Sequence, residues 1–151
     1  MAQRYDRPNW VARAFNQVVR RLAEVGIGIG GTTALRVRGR QTGKRRGVVI
    51  NLLTVDGEDY VVSPRGNTQW ARNARAAGSV ELGPRWRTDP VPIVEVTDDA
   101  KPALLKPYLD RWYWQVKGHA AGLTPQSSEQ QMRAAAPSIP VFRVVRQVVG
   151  G

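Results

Sequence analysis

The sequence predicts an antiparallel β core with helices on its outside, arranged as a small barrel or as an α+β sheet. Three strand-like segments fall within residues 33–63, joined by short polar connections that favour a meander. The element order is helix, three strands, helix, strands, helix, strand, without the regular strand–helix alternation of a parallel sheet. At 151 residues the chain is expected to form a single domain over 1–151, large enough to bury a core without disulfides or metal.

Residues 6–24 space Trp10, Ala14, Phe15, Val18, Val19 and Leu22 at three- and four-residue steps, which predicts a helix. Pro8 suits its first turn and Gly26 its end. Arg13, Gln17, Arg20 and Arg21 mostly occupy the other face, so 1–26 reads as an amphipathic N-terminal helix. It would pack one stripe on the core or rest on an anionic membrane surface.

Residues 33–37 (TALRV) alternate as a strand, and 39–47 form a polar loop. Residues 48–55 (VVINLLTV) read as an apolar strand, Asp56-Gly57 as a hairpin turn and 60–63 as the returning strand. A short helix follows at 68–77, ended by Gly78, and then a short strand at 80–82. Residues 93–96 form a further strand whose start, after Pro90 and Pro92, is expected at an edge. Asp98 and Asp99 start a helix running to Gly118. Residues 119–138 read as loop with about one helical turn, and 140–149 as the last strand.

Composition excludes several function classes. There is no Cys and one His, His119, so thiolate zinc sites, iron–sulfur clusters, Cys nucleophiles and His-rich metal sites are excluded; no metal is expected. No apolar run reaches the ~18 residues of a membrane span, and no secretory signal is expected, since residues 1–26 lack its apolar run and small-residue cleavage site. A cytoplasmic protein is expected, with membrane association through 1–26 left open. Gly26, Gly28 and Gly31 match G-x-G-x-x-G, but they follow a helix and lack the acid some 20 residues on that a dinucleotide fold needs. Residues 39–44 (GRQTGK) fall one residue short of a P-loop, and Arg45 stands where magnesium needs a hydroxyl.

The net charge of +11 calls for an anionic partner, and its distribution narrows the choice. Arg36, Arg38, Arg40, Lys44, Arg45 and Arg46 cluster together, and no acid lies between Glu24 and Asp56. Thr42 and Gly43 could turn backbone N–H groups outward, giving a phosphate or carboxylate subsite with the cations around it, the alternatives being a solvated basic hairpin loop or a contact to nucleic-acid backbone. A second candidate is Pro64-Arg65-Gly66, between a strand and a helix N-terminus. Trp70 and Asn73 share one face of that helix, Trp70 as core and Asn73 as a ligand amide or a capping residue. Trp112, Tyr113 and Trp114 are consecutive, so one ring must reach a helix margin. No carboxylate pair or Ser-His-Asp order stands out, so if the chain is an enzyme its chemistry is expected to belong to a bound cofactor.

Residues 35–46 (LRVRGRQTGKRR), 57–63 (GEDYVVS), Arg65-Gly66 and Trp70-Ala71-Arg72-Asn73, with 74–82 (ARAAGSVEL), resemble the deazaflavin-dependent nitroreductase family of actinobacteria. The resemblance is densest over 33–83. It implies a split β-barrel, of the kind that binds flavin in pyridoxamine-phosphate-oxidase-like proteins. It also implies use of reduced coenzyme F420, in preference to FMN, to reduce quinones, nitroaromatics or activated enones. Carried onto this chain, Arg40, Gln41, Thr42 and Gly43 would face the coenzyme's phosphate and polyglutamate tail. Lys44, Arg45 and Arg46 would extend that surface; Pro64, Arg65 and Gly66 would form the second basic loop, and Trp70 and Asn73 the helix signature. Tyr108, Trp112 and Tyr113 become candidates for the acceptor pocket, with no catalytic residue assigned. The partners implied are a small-molecule acceptor and an anionic cofactor, not nucleic acid, in a monomer or homodimer. The alternative is a non-catalytic protein of the same fold holding deazaflavin, flavin or fatty acid.

Overall fold

The protein is described from a computed structural model, in which residues 32–84 and 89–145 are described. The expected N-terminal helix, the glycine run at 26–31 and the far end of the expected last strand lie outside these residues.

The described strands are β1 (Thr32–Arg38), β2 (Arg45–Val55), β3 (Glu58–Val62), β4 (Ser79–Leu82), β5 (Val91–Glu95) and β6 (Val141–Val144). They close into one antiparallel barrel in the order β1-β2-β3-β6-β5-β4. The barrel alternative is therefore the one realised, in a split form. Residues 45–51 of β2 pair with β1, and residues 52–55 pair with β3. One long strand thus belongs to two sheets and changes partner between Asn51 and Leu52.

Both faces of the β2–β3–β6 wall are buried, which is why 48–55 reads as a run rather than an alternation. Val61 and Phe142 point into the barrel with Leu35, Val37, Ile50, Val80, Ile93 and Val144. Their neighbours Val62 and Val141 point outward, into a second core with Leu53. Each large side chain so buried contributes roughly 1.5–3 kcal/mol.

Helix α1 (Gln69–Ala77) presses Ala71 and Ala74 against the barrel core, with Trp70 set against Phe142 at 6.2 Å between ring centroids. Thr68 is its N-cap, accepting from the Ala71 N–H. Gly78 ends it at φ 71°, a left-handed conformation that glycine adopts without a Cβ penalty. Helix α2 (Pro102–Val116) covers the second core with Leu104, Leu105, Tyr108, Leu109 and Trp112. Helix α3 (Glu129–Ala135) adds Met132 beneath it.

The structure departs from the sequence reading in several places. β2 starts at Arg45 rather than Val48, because the register continues to Arg38↔Arg45. That like-charged pair is tolerated because Arg45 donates to Glu81 and Arg38 to the Gly43 carbonyl. The helix expected from Asp98 divides into a 3-10 turn (Asp98–Ala100) and α2. Between them Lys101 turns inward, donating to the Ala136 carbonyl at 2.9 Å and pairing with Asp98. The expected edge at the start of β5 is absent: Val91 and Pro92 pair with β4, and Ile93 to Glu95 with β6. In 119–138, α3 is a full helix with a capping box between Ser128 and Gln131.

Candidate functional site

The loop 39–44 that joins β1 to β2 is closed by its own backbone. The Gly39 N–H donates to the Lys44 carbonyl at 2.8 Å, and the Gly43 N–H to the Gly39 carbonyl at 2.9 Å. The Gly43 amide is therefore turned inward, not outward as a nest would require. Thr42 Oγ1 accepts from the Lys44 N–H at 3.3 Å. A Cβ on Gly39 would come within 2.8 Å of that hydroxyl, so the loop needs glycine there for space.

The basic run divides into held and unheld cations. Arg36 is buried, with its guanidinium on Glu81 and the carbonyls of Gly83 and Pro84. Arg38 donates to the Gly43 carbonyl and Arg45 to Glu81. Arg40 reaches α1: its main-chain N–H and its Nη1 both donate to Asn73 Oδ1, at 3.1 and 2.8 Å, and Nη1 also donates to Gln69 Oε1. Lys44 and Arg46 are exposed, and neither side chain makes a hydrogen bond or ion pair among the described residues. Gln41 and Thr42 are exposed beside them.

The second loop is equally ordered. Ser63 Oγ is buried, donates to the Gly66 carbonyl at 2.6 Å and lies 3.1 Å from Thr68 Oγ1. The Gly66 N–H returns to the Ser63 carbonyl, and Gly66 adopts φ 103°. Pro64 and Arg65 are half-buried on this turn. Arg75, one turn of α1 beyond Arg72, forms a two-pronged pair with Glu95 at 2.8 Å on each side, and this hydrogen bonding raises its pKa further.

The structure therefore brings Arg40, Asn73 and the loop 39–44 together. Asn73 is nearly fully buried and its carbonyl oxygen is already engaged, so it acts on the loop itself. Trp70 packs at the barrel core. Tyr108 and Trp112 are buried in the second core, their rings 5.1 Å apart, while Tyr113 is half-buried and Trp114 is the exposed ring of the triplet. Burial pushes the Tyr108 hydroxyl up to about 12, partly opposed by its hydrogen bond with Asn51. His119 is half-buried. No group of three or more His, Cys, Asp or Glu able to hold a metal occurs among the described residues. No described helix is long and apolar enough to cross a membrane.

Two polar residues had escaped the motif reading. Gln69 shares Arg40 with Asn73. Asn51, inside the apolar run 48–55, donates through Nδ2 to Gln115 Oε1 at 2.8 Å. An amide in an otherwise apolar strand was the available signal for the second.

Fold and site together define a split-barrel protein with a basic, internally braced β1–β2 loop. Solved structures support the fold. A structure described as a domain-swapped dimer is 16% identical and covers 90% of this chain and 97% of its own, with a TM-score of 0.56. A protein of unknown function from Agrobacterium tumefaciens is 17% identical over 95% of this chain and 58% of its own, with a TM-score of 0.53. A NimC/NimA family protein from Clostridium acetobutylicum is 13% identical over 90% and 88%, with a TM-score of 0.50. The sequence profile of the F420H(2)-dependent quinone reductases matches residues 10–142, and the chain belongs to that family. Comparison with curated proteins finds no match.

Proposed function

We propose that this chain is an F420H2-dependent oxidoreductase that passes a hydride from the reduced deazaflavin to an electron-poor acceptor: a quinone, nitroaromatic or activated enone. The observation that carries the reading is a pair of exposed cations with no partner among the described residues, Lys44 at the end of the β1–β2 loop and Arg46 at the start of β2, whereas Arg38, Arg40 and Arg45 are held by the protein. Such a loop presents positive charge without reorganising, which suits a phosphate and a polycarboxylate tail. Asn51 Oδ1, a buried acceptor with no partner among the described residues, suits a heterocycle bearing an N–H. The donor set thus fits the coenzyme that the family's name implies.

When bound, the coenzyme supplies the hydride. The protein's part is to hold the anionic tail through Lys44 and Arg46, with Gln41, Thr42 and the second loop at Pro64, Arg65 and Gly66 beside it. Arg40 and Asn73 keep the first loop in place. Tyr113 is the member of the aromatic set exposed enough to border an acceptor.

Steady-state oxidation of F420H2 in the presence of menadione tests this reading. Acceptor-dependent oxidation that falls in Arg46→Ala through a raised KM for the coenzyme is the expected result. Tight coenzyme binding without acceptor-dependent oxidation would instead make the chain a carrier of the same fold.

A further inference from the structure

Asn51 occupies the split of the barrel. It is the last β2 residue paired with β1, opposite Thr32, and Leu52 is the first paired with β3, opposite Val61. Strand alternation puts Asn51 on the same face as Leu53, toward α2. There its side chain is only 7% exposed. The amide is held from the α2 side: Nδ2 donates to Gln115 Oε1 at 2.8 Å, and Asn51 also donates toward the Tyr108 oxygen, the contact that lowers that hydroxyl's pKa. Tyr108 is buried and stays neutral at ordinary pH, so nothing in this group carries charge. Asn51 Oδ1 is left buried and accepts from no group among the described residues.

Buried carbonyl oxygens are nearly always satisfied, and one whose orientation is fixed by neighbours cannot turn away to find a partner. An orphan acceptor of this kind marks a position that a further donor would complete. The atom is an acceptor only. It cannot hydrogen-bond to a quinone carbonyl or a nitro group, which are acceptors themselves. It can take a neutral N–H.

We propose that Asn51 Oδ1 is a recognition site for a cyclic imide N–H, as presented by the pyrimidine-dione edge of a deazaflavin, with Gln115 and Tyr108 as positioning residues that aim it. The inference rests on the coenzyme reading above. It assigns Asn51 to the hydride source and not to the acceptor, and it separates ring recognition at the split from tail recognition at Lys44 and Arg46.

Calorimetric titration with oxidised F420 tests it, alongside thermal melting of each apo-protein. Asn51→Leu removes the orphan at similar volume, so its melting temperature is expected to equal or exceed that of the wild type. Its coenzyme affinity is expected to fall roughly tenfold or more. Asn51→Asp keeps an oxygen at the position and is expected to retain more affinity than Asn51→Leu. A merely structural Asn51 would give the reverse pattern, a lowered melting temperature with unchanged affinity. If Asn51→Leu fails to fold, Asn51→Ala against Asn51→Asp gives the same comparison. Equal affinity across the variants, with binding still lost in Lys44→Ala/Arg46→Ala, would mean that Oδ1 holds only a buried water; this overturns the inference and leaves the coenzyme reading standing. Absence of binding by the wild type would overturn both.

Discussion

Asn73 Oδ1 accepts two hydrogen bonds from Arg40, one from its main-chain N–H at 3.1 Å and one from its guanidinium at 2.8 Å. One buried amide on α1 thereby fixes both the backbone and the side chain of a loop residue 33 positions away. The loop that carries Lys44 and leads into Arg46 on β2 is anchored to the helix that closes on the barrel core. Removing this latch should loosen the loop and cost stability together. Asn73→Leu is expected to lower folding stability by about 1–3 kcal/mol in urea denaturation. It should also weaken coenzyme binding measured by calorimetry. Asn73→Asp, which keeps the acceptor, should recover most of both.

Lys44 and Arg46 should behave oppositely to Arg36. Neither has a partner among the described residues, so Lys44→Ala and Arg46→Ala are expected to leave the melting temperature within experimental error. Each should weaken binding of the anionic coenzyme and flatten its dependence on salt, read from titrations across a range of ionic strength. Arg36→Ala takes the donor from two carbonyls and leaves Glu81 to Arg45 alone, and is expected to destabilise by roughly 1–3 kcal/mol.

Tyr108 sets an alkaline limit. Its hydroxyl is raised by burial from the ordinary value of 10.0 to about 12, so the folded state holds its proton where the unfolded state has released it. The associated stability, of order 2–3 kcal/mol, is fully present below pH 10 and is lost as pH rises through about 12. Stability measured by denaturant titration from pH 9 to 12 should therefore fall, and Tyr108→Phe should fall less steeply over that window.

Ala121 adopts φ 56°, a left-handed conformation that disfavours a Cβ, immediately before Gly122 at φ 77°. Ala121→Gly is expected to stabilise the protein by up to about 1 kcal/mol, measured as a shift in the denaturation midpoint. This loop follows α2 and carries His119, so the same variant checks whether its strain matters to turnover.

Element types were largely legible in the chain. Apolar spacing marked β1, β2, β3, α1 and α2, and Asp56-Gly57 marked a hairpin whose two residues both take positive φ. Local chemistry decides such features, and it lies within a few residues. The capping box at Ser128 and Gln131 was equally local and could have announced α3. The start of β2 was less legible, because Arg45 is extended only by virtue of Arg38 across the ladder and Glu81 on β4.

By itself the sequence determined the antiparallel layout, the place of the basic loop and its resemblance to a deazaflavin-using family. The tertiary structure decided which cations remain available. Glu81, the carbonyls of Gly83 and Pro84, and Asn73 neutralise or hold Arg36, Arg45 and Arg40 from 33 to 48 positions away. Closure of the barrel brings them together, and no local pattern records it. The same closure placed Asn51 at the change of partner in β2 and set it against Gln115, 64 positions on. Charge is written in the chain, but whether a charge is free depends on long-range partners that only the fold supplies.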